Sequence, residues 1–232
     1  MLPNEIDLDG LKAELKAGKR VILQVRHAER PKMAPDDPSF GDQLAITAEG
    51  CRTARKLGEE LKEFAAVADF VASPLKRTMM TAELIAEGMG LGGKEIKAYG
   101  CLGNESFYYK DTSQVLEVFQ VANFFPACKK YMETGTLPGF HPLYEASENL
   151  DQWLKGQLKK QFLIAATHDL YIAAFLSAMN KSEAYVPENW VRFLDGAATI
   201  IDADGSASYV MVRTGLSTGI VGVPTGNPGH SA

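Results

Sequence analysis

The stretch Arg20-Val21-Ile22-Leu23-Gln24-Val25-Arg26-His27-Ala28-Glu29-Arg30 decides how the rest of the chain is read. Val21 to Val25 is a short apolar run rich in β-branched residues, the composition of a buried strand. It ends abruptly in two arginines flanking a histidine. In parallel α/β sheets, ligands bind just beyond the carboxyl ends of the strands. Arg26, His27 and Arg30 would therefore stand at the mouth of a site. Two permanent positive charges beside an imidazole suit the capture of a phosphoryl group.

The same pattern recurs twice downstream. Phe70-Val71-Ala72 reads as a strand that stops at Ser73-Pro74, followed by a helix from Leu75 to about Met89. Phe162 to Thr167 reads as another, followed at once by His168-Asp169 and a helix from Leu170 to Met179. Lys94 to Tyr99 is a candidate third strand. Leu8, Leu11 and Leu15 predict a short amphipathic helix that Gly18 stops. Thr47 predicts an N-cap for a helix from Ala48 to about Phe64, and Asp204-Gly205 predicts a terminal hairpin. Strands alternating with helices imply an α/β fold: three layers, α/β/α, around a mainly parallel sheet. Residues 1–232 read as a single domain. The stretch of about 100–150, with its aromatic run Phe107-Tyr108-Tyr109 and a helix near Gln114–Phe124, reads as an inserted cap region.

Bulk properties narrow the partners. The 232 residues are 46% hydrophobic and 23% charged, ordinary for a globular protein. A net charge of −5 argues against a nucleic-acid surface, so any positive site must be a local cluster. No apolar run approaches the roughly 18–20 residues that span a bilayer. The N-terminus lacks the basic and apolar segments of a secretory signal, which makes a cytoplasmic location the expectation. Cys51, Cys101 and Cys128 fit neither a zinc spacing nor a redox pair.

In a parallel sheet the three strand ends share one edge. That would gather Arg26, Arg30, Arg77, His27 and His168 around one point, with helix N-termini adding dipoles favourable to anions. The Arg-His-x-x-Arg run at 26–30, the Ser-Pro-x-x-Arg-Thr run at 73–78 and the strand-ending His168 resemble the histidine phosphatase superfamily, which includes phosphoglycerate mutases and acid phosphatases. The resemblance implies covalent catalysis. His27 would attack phosphorus in line, and water would then hydrolyse the phosphohistidine. Arg26, Arg30, Arg77 and His168 would hold the phosphoryl oxygens. The substrate would be a small phosphate ester, and no metal or organic cofactor is needed.

Two carboxyls compete as proton donor to the leaving group. Asp169 follows His168 as in the His-Asp pair of the acid-phosphatase branch, yet it is also placed to cap its helix. Glu105, in Leu102-Gly103-Asn104-Glu105-Ser106, resembles the Asn-Glu of the mutase-like branch. A similar Gly-Asn-Glu occurs in the lipopolysaccharide-core heptose-phosphate phosphatases, a subgroup that the chain also resembles near Leu194-Asp195-Gly196. Gln43 and Thr47 lie in the loop after the nucleophile, where members of the superfamily contact substrate. Thr78 and Thr81 are expected to pack their helix. A mutase would use the same pocket but must shield its phosphorylated intermediate from water. A non-catalytic phospho-ligand binder would be expected to lack the nucleophile or an arginine, and all five residues are present. A phosphatase is the simplest expectation.

Overall fold

A computed structural model describes residues 5–32 and 41–216. Pro35, Pro38 and the tail from residue 217, which includes His230, lie outside the described residues. Seven strands form one sheet: β1 (Glu5–Asp7), β2 (Arg20–Arg26), β3 (Ala68–Ala72), β4 (Lys97–Ala98), β5 (Phe162–Thr167), β6 (Gly196–Ile201) and β7 (Ala207–Arg213). Their order is β1-β7-β6-β2-β5-β3-β4. β2, β5, β3 and β4 run parallel, while β6 runs against both β2 and β7.

Both faces of the sheet are covered. Val21, Leu23 and Val25 of β2 face one core with α1 (Leu8–Lys16), α2 (Ala48–Glu60) and α3 (Lys76–Gly88). Ile22 faces the other, with Leu163 and Ala165 of β5 under α4 (Thr112–Ala122), α5 (Phe124–Thr134), α6 (Leu143–Gln157) and α7 (Asp169–Asn180). The continuous apolar run of β2 thus has its cause in a strand with helices on either side. α2 and α3 cross closely because Gly58 and Gly88 lie in the contact, and a Cβ on Gly58 would run into the Ile85 carbonyl.

Several expected boundaries shift for local reasons. Helix α2 ends at Glu60, and residues 62–67 tighten into a 3-10 turn that leads into β3. The strand expected over Lys94–Tyr99 keeps only Lys97–Ala98, in register with Val71 and Ala72 of β3, and the Lys94 ammonium pairs with Asp69 at 3.0 Å. The helix expected near Gln114–Phe124 is α4, and a second helix that was not expected, α5, follows it directly after Asn123, whose φ is 62°. Helix α6 begins at Leu143, directly after Pro142. β1 was without a pattern long enough to read. It exists because it adds in parallel to the edge strand β7.

Candidate active site

The site is assembled by strand register. β5 lies between β2 and β3, pairing Arg26 with Thr167 and Ala72 with Ala166. The ladder then continues one residue past each neighbour. The His27 amide donates to Thr167 O at 3.0 Å and the Ser73 amide to Ala166 O at 3.0 Å. Three strand ends separated by scores of residues are thereby locked side by side, and the side chains that follow them converge.

His27 and His168 meet with ring centroids 5.6 Å apart, inclined at 63°. Nδ1 of His27 lies 2.8 Å from Ala28 O. A carbonyl oxygen only accepts, so Nδ1 carries the proton and Nε2 keeps its lone pair. Burial drives the His27 ring well below the ordinary histidine range, and Arg77, Arg26 and His168 push it further. His168 is lowered in the same way, first by burial and then by Arg77, Arg26 and Arg30. Its Nε2 shares a 3.2 Å hydrogen bond with Ser73 Oγ. Two neutral imidazoles in a cationic pocket are the result.

The arginines differ in how they are held. Arg26 is buried, donating from Nη1 to Val191 O at 2.6 Å and pairing through Nη2 with Asp169 Oδ2 at 3.0 Å. The Phe193 ring lies 4.2 Å from its guanidinium carbon. Arg77, in the first turn of α3, donates from Nη1 to Gly41 O at 2.7 Å. Burial and the neighbouring Arg30 lower it to about 10, so it remains charged at neutral pH. Arg30 is half-buried and donates from Nη1 to Pro31 O at 2.9 Å. Among the described residues, the buried Nε atoms of Arg26 and Arg77 have no hydrogen-bond partner. Buried donors of this kind are costly unless an acceptor is supplied. An oxyanion supplies several.

The two carboxyl candidates occupy different settings. Asp169 Oδ2 accepts from Arg26 and from Trp190 Nε1 at 3.0 Å, and Oδ1 lies 3.0 Å from the Leu170 amide. It holds Arg26 and starts α7. Glu105 is exposed, on a loop whose backbone is gripped by Thr167 Oγ1 at Leu102 O (2.9 Å) and by the Tyr171 hydroxyl at Gly103 O (2.9 Å). Gly103 packs so closely on Ser73 that a Cβ there would overlap its Oγ.

Gln43 is exposed, and the Thr47 hydroxyl caps α2 by accepting from the Gly50 amide at 2.9 Å. Thr81 does more than pack. Its hydroxyl accepts from the Ala28 amide at 3.0 Å and donates to Arg77 O at 2.6 Å, tying the His27 loop to α3. Val191, Phe193, Trp190, Ser73 and Tyr171 also border the site, and sequence reasoning did not single out their roles. The resemblance at Leu194-Asp195-Gly196 was the available signal for the first three. Asp195 O accepts from the Arg26 amide at 2.9 Å, and its carboxylate takes Arg213 Nη1 at 2.9 Å. No cluster of three or more His, Cys, Asp or Glu suited to a metal occurs among the described residues. Nor is any described helix long and apolar enough to cross a membrane.

Residues 22–101 match the model of the histidine phosphatase superfamily, branch 1. No curated protein sequence matches the chain. Among solved structures, phosphoglycerate mutase from Bacillus anthracis str. Sterne superposes with a TM-score of 0.55 at 12% identity, over 84% of this chain and 92% of that one. A mycobacterial glucosyl-3-phosphoglycerate phosphatase gives 0.53 at 15% identity, over 83% and 96%. YhfR of Bacillus stearothermophilus gives 0.55 at 14% identity, over 85% and 99%. These likenesses establish a shared α/β fold. By sequence over residues 22–101 and by fold over most of its length, the chain resembles the histidine phosphatase superfamily.

Proposed function

We propose that the chain is a phosphoryl-transfer enzyme of the phosphatase or mutase kind and, within that class, a phosphomonoesterase acting through a phosphohistidine on His27. The observation that carries this reading is the His27 ring itself. It is neutral, with Nδ1 fixed on Ala28 O, and it is set among arginines whose buried Nε donors lack partners. Nε2 attacks phosphorus as the P–O bond to the leaving group breaks. Arg26, Arg30, Arg77 and His168 hold the phosphoryl oxygens and take up the charge that develops on them. Water then attacks the phosphohistidine, releasing inorganic phosphate and restoring the imidazole.

The leaving alkoxide needs a proton, and Glu105 is the donor we assign. Both Asp169 oxygens already accept hydrogen bonds, from Arg26, Trp190 and the Leu170 amide. Glu105 has its loop braced beside Ser73 and its carboxyl folded over Gly100. As the ester bond breaks, the Glu105 carboxyl gives up its proton. As the phosphoenzyme is hydrolysed, the carboxylate takes one from the attacking water.

The substrate is a small phosphate ester. One of the superposed phosphatases has been solved with inorganic phosphate bound. The test is a rapid quench into alkaline denaturant of enzyme mixed with p-nitrophenyl phosphate labelled in its phosphate. Wild type should show a protein-bound phosphate that is labile to acid and stable to base, with free phosphate accumulating in step with nitrophenol. His27→Ala should show neither. Equal turnover by the two proteins removes His27 as nucleophile, and phosphate passed to an added alcohol in place of water marks a mutase.

A further inference from the structure

Tyr171 stands between the two halves of the site. It lies on α7 three residues after His168 and so shares its face of the helix. The two rings are 5.7 Å apart, edge to face at 89°. Its hydroxyl donates to Gly103 O at 2.9 Å, two residues before Glu105. The ring is wedged in place, stacked on Tyr108 at 5.5 Å and edge-on to Tyr109 at 5.4 Å. Burial pushes the phenol up to about 12, so the group keeps its proton and acts as a fixed donor.

From this bridge we propose that Tyr171 is a positioning residue that sets the distance between Glu105 and the phosphoryl pocket. The inference rests on the function proposed above. Gly103 has no side chain to anchor it, and its backbone is pressed against Ser73, which in turn bonds His168. The 102–105 segment closes on itself through Gly103 and Glu105 amides that donate to Gly100 O, and Tyr171 and Thr167 tie that turn to the strand end and helix that carry His168. Tyr171 itself exchanges no proton. It makes the Glu105 proton available at the leaving oxygen and leaves the phosphoryl grip alone.

Tyr171→Phe keeps the ring contacts and deletes the bond to Gly103. The experiment compares wild type, Tyr171→Phe, Glu105→Gln and the double variant on glycerol 2-phosphate, whose alkoxide needs a proton, and on p-nitrophenyl phosphate, whose phenolate leaves with little help. Hydrogen exchange is followed in parallel at the amides of 102–106. Tyr171→Phe should lower the ratio of alkyl to aryl turnover about tenfold, part of what a well-placed general acid contributes. It should also speed exchange over 102–106 and add nothing further to Glu105→Gln. An unchanged ratio in Tyr171→Phe beside an altered one in Glu105→Gln overturns the Tyr171 inference and leaves the phosphatase reading standing. Equal loss on both esters overturns it too, because that is the mark of a general structural defect. A wild type that turns over no ester overturns the phosphatase reading, and unchanged exchange at 102–106 then refutes the brace independently.

Discussion

Asp169→Asn separates the two roles its position allows. The Arg26 side chain is 3% exposed and that of Asp169 16%, and their closest atoms are 3.0 Å apart. Removing one charge of a fully buried pair costs about 3–5 kcal/mol, because the other is left uncompensated. Asparagine keeps one acceptor oxygen, enough for the Leu170 amide or for Trp190 Nε1 but not for both, and the partial exposure admits water to the other. We therefore expect a loss of about 2 kcal/mol, below that range. For a chain of this length that lowers the melting temperature by roughly 4–8 °C. Arg26 retains Val191 O and the Phe193 face but loses the group that fixes its fork, and a displacement of about 1 Å at such a group is worth up to about 100-fold in rate.

The decisive quantity is which substrates suffer. If Asp169 positions Arg26, the variant loses activity in the same proportion on p-nitrophenyl phosphate and on glycerol 2-phosphate, and inorganic phosphate inhibits it less strongly. If Asp169 is the acid, nitrophenyl phosphate turnover survives and the alkyl ester is lost. Steady-state kinetics on both esters, with thermal melts, reads both outcomes. Selective loss of the alkyl ester, or a melting temperature equal to wild type, refutes the assignment of Asp169 to Arg26.

Two further outcomes follow from the buried polar groups. His27 and His168 are held well below the ordinary value near 6.5, so below about pH 6.5 the unfolded chain takes up protons that these rings refuse in the fold, and stability falls as the pH drops from 7.5 to 5. Melts of wild type against the His27→Asn, His168→Asn double variant isolate the effect, and parallel slopes in the two proteins contradict it. Thr81→Val removes the acceptor of the Ala28 amide and the donor to Arg77 O while keeping the shape, so it should cost about 1–3 kcal/mol in denaturant titrations and lower turnover on both esters. A variant as stable and as active as wild type shows that the hydroxyl is dispensable.

The legible part of this molecule was the part written locally. Arg26, His27 and Arg30 follow directly on the apolar run of β2, Arg77 follows a Ser-Pro stop, and His168 is the first residue past β5. Each strand end announces itself by an abrupt change from apolar to polar, and a parallel sheet then has no choice but to align the ends. The short edge strands were less legible for the complementary reason. β1 has three residues, too few for any periodicity, and exists because β7 offers an unpaired edge, while of the strand expected over Lys94–Tyr99 only the two residues of β4 pair with β3.

What holds the arginines in place was beyond local reading, because the partners are remote in sequence and ordinary in type. Arg26 takes the carbonyl of Val191, 165 residues away, and a backbone carbonyl has no residue-specific signature. Asp169 was ambiguous for a sharper reason. A carboxylate beside His168 is equally suited to start a helix, to protonate an alkoxide or to neutralise an arginine, and only the position of Arg26 across the sheet distinguishes these. Strand register supplies that position: Arg26 is paired with Thr167, two residues before Asp169. The same register that gathers the arginines and histidines therefore brings the Asp169 carboxylate onto a guanidinium and engages it there, while the loop that carries Glu105 is braced separately, by Tyr171 at Gly103.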